Sequence, residues 1–207
     1  MIFVTASDKN YFDILLAQVV AVREHFGTLP TVYDLGLLPS QKRILENAGI
    51  ALRPQPPSPK EGDNYPCGYR PRALFKPMIM MDVCAEHPNE GVVYLDADAR
   101  PTKHFSFPPG ELALVKVKDM SSHGGKEEYI GPFHAGVIYL AASPKRMDFL
   151  IEWNSDMWAD PLPSDTKSLN NVAPGDLDMV ALGADEYCAD KIYPSTKILH
   201  HKDIFLA

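Results

Sequence analysis

The sequence predicts an α/β fold with a mostly parallel central sheet flanked by helices, in one domain. Three observations carry this. Residues 1–100 alternate short apolar runs with segments of helical spacing, in the order strand, helix, strand, helix, strand, helix, strand. Polar residues close the apolar runs at Thr5, Asp34, Asp96 and Asp98, and ligands bind outside the carboxyl ends of strands in such sheets. The chain has 207 residues, enough for one sizeable core and small for two, with no internal repeat, low-complexity tract or evident linker.

Ile2 to Thr5 is the first strand, and Ser7 or Asp8 can cap the helix after it. Phe12, Leu15, Leu16, Val19, Val20 and Val22 place an apolar stripe on that helix, from Tyr11 to Phe26, ended by Gly27. Thr31 to Asp34 is a second strand, closed by Gly36; Ser40 caps a helix to Asn47, with Gly49 past its end. Ile50 to Arg53 is a third strand. Pro54, Pro56, Pro57, Pro59, Pro66 and Pro71 then exclude a regular element, so residues 54–71 read as a flap over a site. Ala73 to Cys84 is helical, with Pro77 tolerated in the first turn, and Val92 to Leu95 is a buried strand.

Leu112 to Lys118 alternates as a strand does, and the polar, Gly-rich residues 121–131 read as a mobile loop. Gly136 to Leu140 is a buried strand. Pro144 to Trp158 is a helix with Met147, Leu150, Ile151, Asn154 and Trp158 along one stripe. Residues 160–175 read as loop, Leu177 to Leu182 as a short helix, and Ile198 to His200 as a final strand.

A formal charge of -7 gives no global drive toward nucleic acid or anionic membrane, although a local basic face is compatible with it. Cys67, Cys84 and Cys188 are odd in number and far apart, as expected of reduced thiols in a cytoplasmic protein. Met1 to Thr5 runs straight into a strand with no basic segment and long apolar stretch, so no signal peptide is expected, and no transmembrane run is present.

The most informative residues are Asp96 and Asp98. They follow the apolar strand one residue apart, and in an extended segment residues i and i+2 face the same side. Two anionic oxygen donors at one point suit a hard divalent cation and, through it, an anionic substrate group. The bland alternative is a solvated turn or helix cap. Arg70, Arg72 and Lys76 form the densest basic group; Arg72 and Lys76 share a helix face at four-residue spacing and could hold a diphosphate.

These features together resemble a GT-A fold glycosyltransferase, a single domain on a Rossmann-like sheet. Phe133-His134-Ala135-Gly136-Val137-Ile138 resembles the Phe-Asn-Ala-Gly segment of the glycogenin-like and lipopolysaccharide galactosyltransferase family. Gly175-Asp176-Leu177-Asp178 resembles its Asp-Gln-Asp segment, and Ile198-Leu199-His200 its C-terminal hydrophobic-hydrophobic-His motif. The resemblance implies a nucleotide-binding half at 1–100 and an acceptor and catalytic half at 101–207. It implies Mn²⁺ or Mg²⁺ on Asp96, Asp98 and His200. Donor contacts would come from Thr5, Ala6, Ser7, Asp34, Arg72, Lys76, Asp96, Ala97, His134, Gly136 and Lys202, with Tyr11 able to stack on a base. Asp176 and Asp178 are the catalytic candidates; their other reading is the N-cap of a following helix. The chain departs from the family pattern with His134 for Asn, Leu177 for Gln, and no Gly before Lys202.

The implied reaction moves a sugar, a hexose from a UDP-sugar by preference, to a hydroxyl of an acceptor glycan with retention. A hydroxymethylated DNA base or a protein is an alternative acceptor, with Arg70, Arg72, Lys116, Lys118 and Lys126 as a basic rim. Two further alternatives are a haloacid-dehalogenase-like phosphatase with Asp96 as nucleophile and a degenerate domain that only binds nucleotide.

Overall fold

The computed structural model describes residues 1–57, 74–116, 131–159, 164–189 and 191–200. Arg70, Arg72, Lys118, Lys126, His201, Lys202 and Cys67, with most of the Pro-rich and Gly-rich segments, lie outside the described residues.

The elements in chain order are β1 (Ile2–Ser7), α1 (Phe12–Phe26), β2 (Thr31–Asp34), α2 (Pro39–Asn47), β3 (Leu52–Pro54), α3 (Lys76–Glu86), β4 (Val92–Leu95), β5 (Ala99–Pro101), β6 (Leu112–Lys116), β7 (Phe133–Leu140), α4 (Arg146–Ala159), α5 (Asp165–Val172), β8 (Met179–Gly183), α6 (Ala184–Tyr187) and β9 (Ile198–His200). Seven strands form one sheet in the order β3-β2-β1-β4-β7-β6-β8. The pairs β3-β2, β2-β1, β1-β4 and β6-β8 are parallel, and β7 is antiparallel to both its neighbours. A separate antiparallel pair joins β5 to β9.

Alternation along the central strands feeds two core layers, as period-two geometry requires. Val4, Val92 and Tyr94 pack with Ile79, Met80, Leu150 and Trp153 on one face. Phe3, Val93 and Leu95 pack with Val22, Phe105 and Val137 on the other. Gly27 ends α1 in the left-handed region at φ 69° and donates its N–H to Arg23 O at 3.0 Å. Helix α2 opens at Pro39 rather than under a Ser40 cap, because Gln41 Oε1 accepts the Leu38 N–H at 2.8 Å. Arg146, at the start of α4, is 2% exposed and donates to the carbonyls of Cys84, His87, Glu90 and Ala141, tying α4 to the loop before β4.

Two readings of the C-terminal half are corrected. Leu177 to Leu182 is not a helix: Met179–Gly183 is strand β8, in register with β6 from Leu112 to Lys116. So short an apolar run fits either period, and pairing with an open sheet edge decides it. Residues 160–175 are not all loop, since Asp165–Val172 is helix α5. Ser164 caps it by accepting the Lys167 N–H, and buried Thr166, Leu169 and Val172 recur at helical spacing. Among the described residues no helix is long and apolar enough to cross a membrane.

Candidate active site

Four elements converge at one edge of the sheet. β1 and β4 run parallel with Ile2 opposite Val92, so Ser7 and Asp96 emerge at the same end. β7 enters that edge from the opposite direction, and the Asp96 N–H donates to Gly136 O at 2.8 Å. β9 pairs with β5 so that His200 lies opposite Ala99, beside the aspartates. Ala6, Ser7, Asp8, Tyr11, Leu35 and Lys76 line one part of a pocket of ≈ 260 Å³, and Tyr94, Asp96, Ala97, Asp98, His134, Asp165 and Thr166 complete it.

The two aspartates converge through a tight turn rather than an extended segment: the Ala99 N–H donates to Asp96 O at 2.8 Å. Gln18 of α1 holds this turn from behind, donating from Nε2 to Asp96 O at 2.6 Å and Ala99 O at 2.7 Å. His200 Nε2 lies 2.9 Å from Asp98 Oδ1 and 3.9 Å from Asp96 Oδ2. Ligand atoms of Asp96, Asp98 and His200 all fall within 4.8 Å of one another. Burial raises the Asp96 carboxyl, Lys76 opposes that, and the neighbouring Asp98 charge raises it further. Burial works against charge on His200, but the bonds to Asp98 and Cys188 overcome it and lift the imidazole to about 10. The crowded carboxylates and the imidazole fit a divalent cation in chemistry and spacing.

Gly136 makes the crossing possible. A Cβ there would lie 2.3 Å from His200 Cε1 and 2.6 Å from His134 Cε1, so only glycine leaves room for both imidazoles.

Lys76 is 3% exposed, and its Nζ sits 2.8 Å from Asp96 Oδ1, 2.5 Å from Asp165 Oδ2 and 3.0 Å from Ala135 O. Burial disfavours its charge; Asp165 and Asp96 reverse that and hold the ammonium well above its ordinary range. Asp165 is raised by burial but held low on balance by Lys76. Asn170, on the same helix as Asp165, accepts the Phe133 N–H at 2.9 Å and donates to Phe133 O at 2.7 Å, which locks α5 to the start of β7.

Of the sequence candidates, the structure gathers Ala6, Ser7, Lys76, Asp96, Ala97, Asp98, His134, Gly136 and His200 at this edge, with Tyr11 on the wall. Thr5 is buried within β1 and does not line the pocket. Asp34 is committed to its own turn: Oδ1 accepts the Gly36 and Leu37 N–H groups, and the carboxylate pairs with Lys42. Arg72 and Lys202 are outside the described residues.

Asp176 and Asp178 are not brought to the pocket. Asp178 precedes β8, where Met179 lies beside Leu112, Leu112 beside Leu140, and Leu140 beside Val92. That is the opposite end of the sheet from Asp96. There Asp178 N–H donates to Glu111 Oε2 at 3.0 Å and Lys145 donates to Asp176 O at 2.9 Å. Neither do they cap a following helix, because a strand follows. The carboxylate that the sequence reading missed is Asp165. Ser164 with the Thr166, Leu169 and Val172 spacing was the signal that could have placed it at a helix start.

The sheet order with an antiparallel strand beside the aspartate strand, and the pocket at that edge, define a GT-A-like fold. No protein-family model matches the sequence, and no curated protein matches it either. Among solved structures, the galactosyltransferase LgtC, determined in complex with donor and acceptor sugar analogues, matches with a TM-score of 0.64 at 16% identity, over 97% of this chain and 87% of that one. The bifunctional glycosyltransferase WbbM matches at 0.59 and 16%, over 90% of this chain but 39% of its own. GlyE of Streptococcus pneumoniae TIGR4, a glycosyltransferase, matches at 0.52 and 17%, over 98% and 55%. At these identities the likeness establishes the fold.

Proposed function

We propose that the chain is a divalent-metal-dependent glycosyltransferase. It moves a sugar, a hexose from a UDP-sugar by preference, to an acceptor hydroxyl, with Mn²⁺ or Mg²⁺ held by Asp96, Asp98 and His200. The observation that supports it best is the convergence of this ligand set with buried Lys76 and Asp165 around one pocket, in a fold whose solved examples act on sugars. When bound, the ion would neutralise charge on the departing diphosphate as a Lewis acid.

The chain's own residues set up the rest. Gln18 and the Gly136 carbonyl hold the Asp96 turn, so both carboxylates are oriented before any ligand arrives. Lys76 opposes the upward push of burial on Asp96, holds Asp165 below its ordinary value and adds a positive charge to the pocket lining. Asp165 takes the place proposed from sequence for Asp176 and Asp178, as the carboxylate facing the reacting sugar. Its oxygens accept hydrogen bonds from sugar hydroxyls. Held below the usual carboxylate range, it is a weak general base. That favours retention, with the acceptor proton passing to the leaving diphosphate, over inversion by a protein base. We assign His134 and the neighbouring Gly136 backbone to the sugar, and the pocket residues Ala6, Ser7 and Tyr11 to the nucleoside.

Glycan remains the acceptor proposed. The formal net charge of -7 gives no global drive toward a polyanion such as DNA. A phosphatase role for Asp96 is disfavoured because the solved structures that share this fold are glycosyltransferases. The test is a thermal-shift screen of UDP-, GDP- and CMP-sugars with and without Mn²⁺. At about a hundredfold excess over Kd a donor should add about 2.7 kcal/mol, and only with metal. A flat response to every donor would overturn the proposal.

A further inference from the structure

His200 has a second side. Its Nε2 faces Asp98 at 2.9 Å, but its Nδ1 faces Cys188 Sγ at 3.1 Å. The His134 ring packs edge-on against His200 with centroids 5.0 Å apart. One ligand atom each from His134, Cys188 and His200 falls within 4.8 Å of the others. In a tetrahedral zinc site a sulfur and a nitrogen ligand stand about 3.6 Å apart, given Zn–S near 2.3 Å and Zn–N near 2.0–2.1 Å. The Cys188–His200 pair needs to open by only about half an ångström to reach that spacing. Cys188 is a free thiol, and the backbone that carries it is fixed: the His200 N–H donates to Ala189 O at 2.9 Å.

We infer that His134, Cys188 and His200 form a second cation site, for a borderline-soft divalent ion such as Zn²⁺, which shares His200 with the hard-ion site. Thiolate and imidazole ligands select Zn²⁺ over Mg²⁺ and Mn²⁺, the reverse of what the Asp96 and Asp98 oxygens favour. Binding releases the Cys188 thiol proton and the proton on His200 Nδ1, whose lone pair then ligates. A neutral imidazole then carries its one proton on Nε2, where it donates to Asp98 and has no lone pair for a hard ion. With the hard ion bound instead, Nε2 ligates, Nδ1 keeps the proton, and Cys188 serves as its hydrogen-bond acceptor. The two sites share one imidazole, and filling both would need that ring as a bridging imidazolate, so Zn²⁺ at the soft side competes with the hard ion for His200. The competition rests on the proposed function; the soft site itself does not.

Co²⁺ is the probe. Titrated into the metal-free full chain, it should develop a thiolate-to-cobalt charge-transfer band that Cys188→Ser removes and Cys67→Ser leaves intact. His134→Asn should weaken Co²⁺ binding. Asp98→Asn should keep the band while losing metal-dependent nucleotide binding, so failure of the donor reading and failure of this site are separately visible. Wild-type protein gives a second readout: at roughly tenfold excess over its Kd, Zn²⁺ should slow alkylation of Cys188 by iodoacetamide about tenfold, since only unbound protein reacts. Mn²⁺ should not protect it. Saturating Co²⁺ without a thiolate band, a band unchanged in Cys188→Ser, or alkylation indifferent to Zn²⁺ would each overturn the inference.

Discussion

Lys76→Met removes the buried ammonium that faces both Asp96 and Asp165. The change keeps the length and apolar stem of the side chain, so little packing is lost. What remains is a pair of carboxylates, formerly 2.8 Å and 2.5 Å from Nζ, and an Ala135 carbonyl without its 3.0 Å donor. Breaking a buried ion pair from one side costs about 3–5 kcal/mol, because the surviving charge is uncompensated. With a urea m-value of about 2–3 kcal/mol/M, the midpoint should fall by about 1–2 M at pH 7 in EDTA.

The pH dependence distinguishes this cause from a packing defect. Lys76 is raised above its unfolded value, so its contribution is complete below about pH 10 and is lost as pH rises through its folded value. Asp165 is depressed, so its contribution is present above its unfolded value near 4 and is lost as pH falls below that. The pair is therefore at full strength across neutral pH. In the variant, burial without Lys76 pushes both carboxyls up, and they take protons as the medium is acidified. The deficit relative to wild type should narrow steadily toward about pH 4. Adding Asp165→Asn to Lys76→Met should recover part of the loss at pH 7. Urea denaturation followed by circular dichroism at pH 7 and pH 5 measures all of this. A variant as stable as wild type at pH 7, or a deficit that does not change with pH, would refute the reasoning.

Arg146→Met leaves four carbonyls without their charged donor and should cost about 3–5 kcal/mol by denaturation, while nucleotide affinity per folded molecule stays unchanged. Gly136→Ala drives a methyl into His200 and should abolish Mn²⁺ binding measured by calorimetry, with the sheet intact by circular dichroism. Asp165→Asn should lower kcat for sugar transfer by about a hundredfold or more, whereas Asp176→Asn and Asp178→Asn, at the far end of the sheet, should leave kcat near wild type.

The first half of the fold was legible because each element carried its own local signal. β1, β2 and β4 are apolar runs buried on both faces, and α1 ends at a glycine that adopts the left-handed conformation its position demands. The metal-type trio was legible from residue type and the C-terminal motif, although the convergence of Asp96 and Asp98 comes from a tight turn that alternation alone does not describe. α5 and β8 were not legible. The polar surface of α5 hides a helix stabilised by Asn170 clamping Phe133, a contact 37 residues away in sequence. β8 is a strand only because β6 offers it an edge. Reading those two elements otherwise made Asp176 and Asp178 the catalytic candidates and left Asp165, which lines the pocket, unnoticed. Gln18 was equally invisible: a glutamine on a helix face gives no sign that two carbonyls eighty residues on will need its amide.

The most direct test of the account is a calorimetric titration of UDP into wild-type protein and Asp98→Asn, each with Mn²⁺ and with EDTA. The account predicts binding to wild type that needs Mn²⁺, and no metal-dependent binding in the variant, whose far-ultraviolet spectrum stays that of the wild type. Equal affinity with and without Mn²⁺, or full metal-dependent affinity in Asp98→Asn, would contradict it.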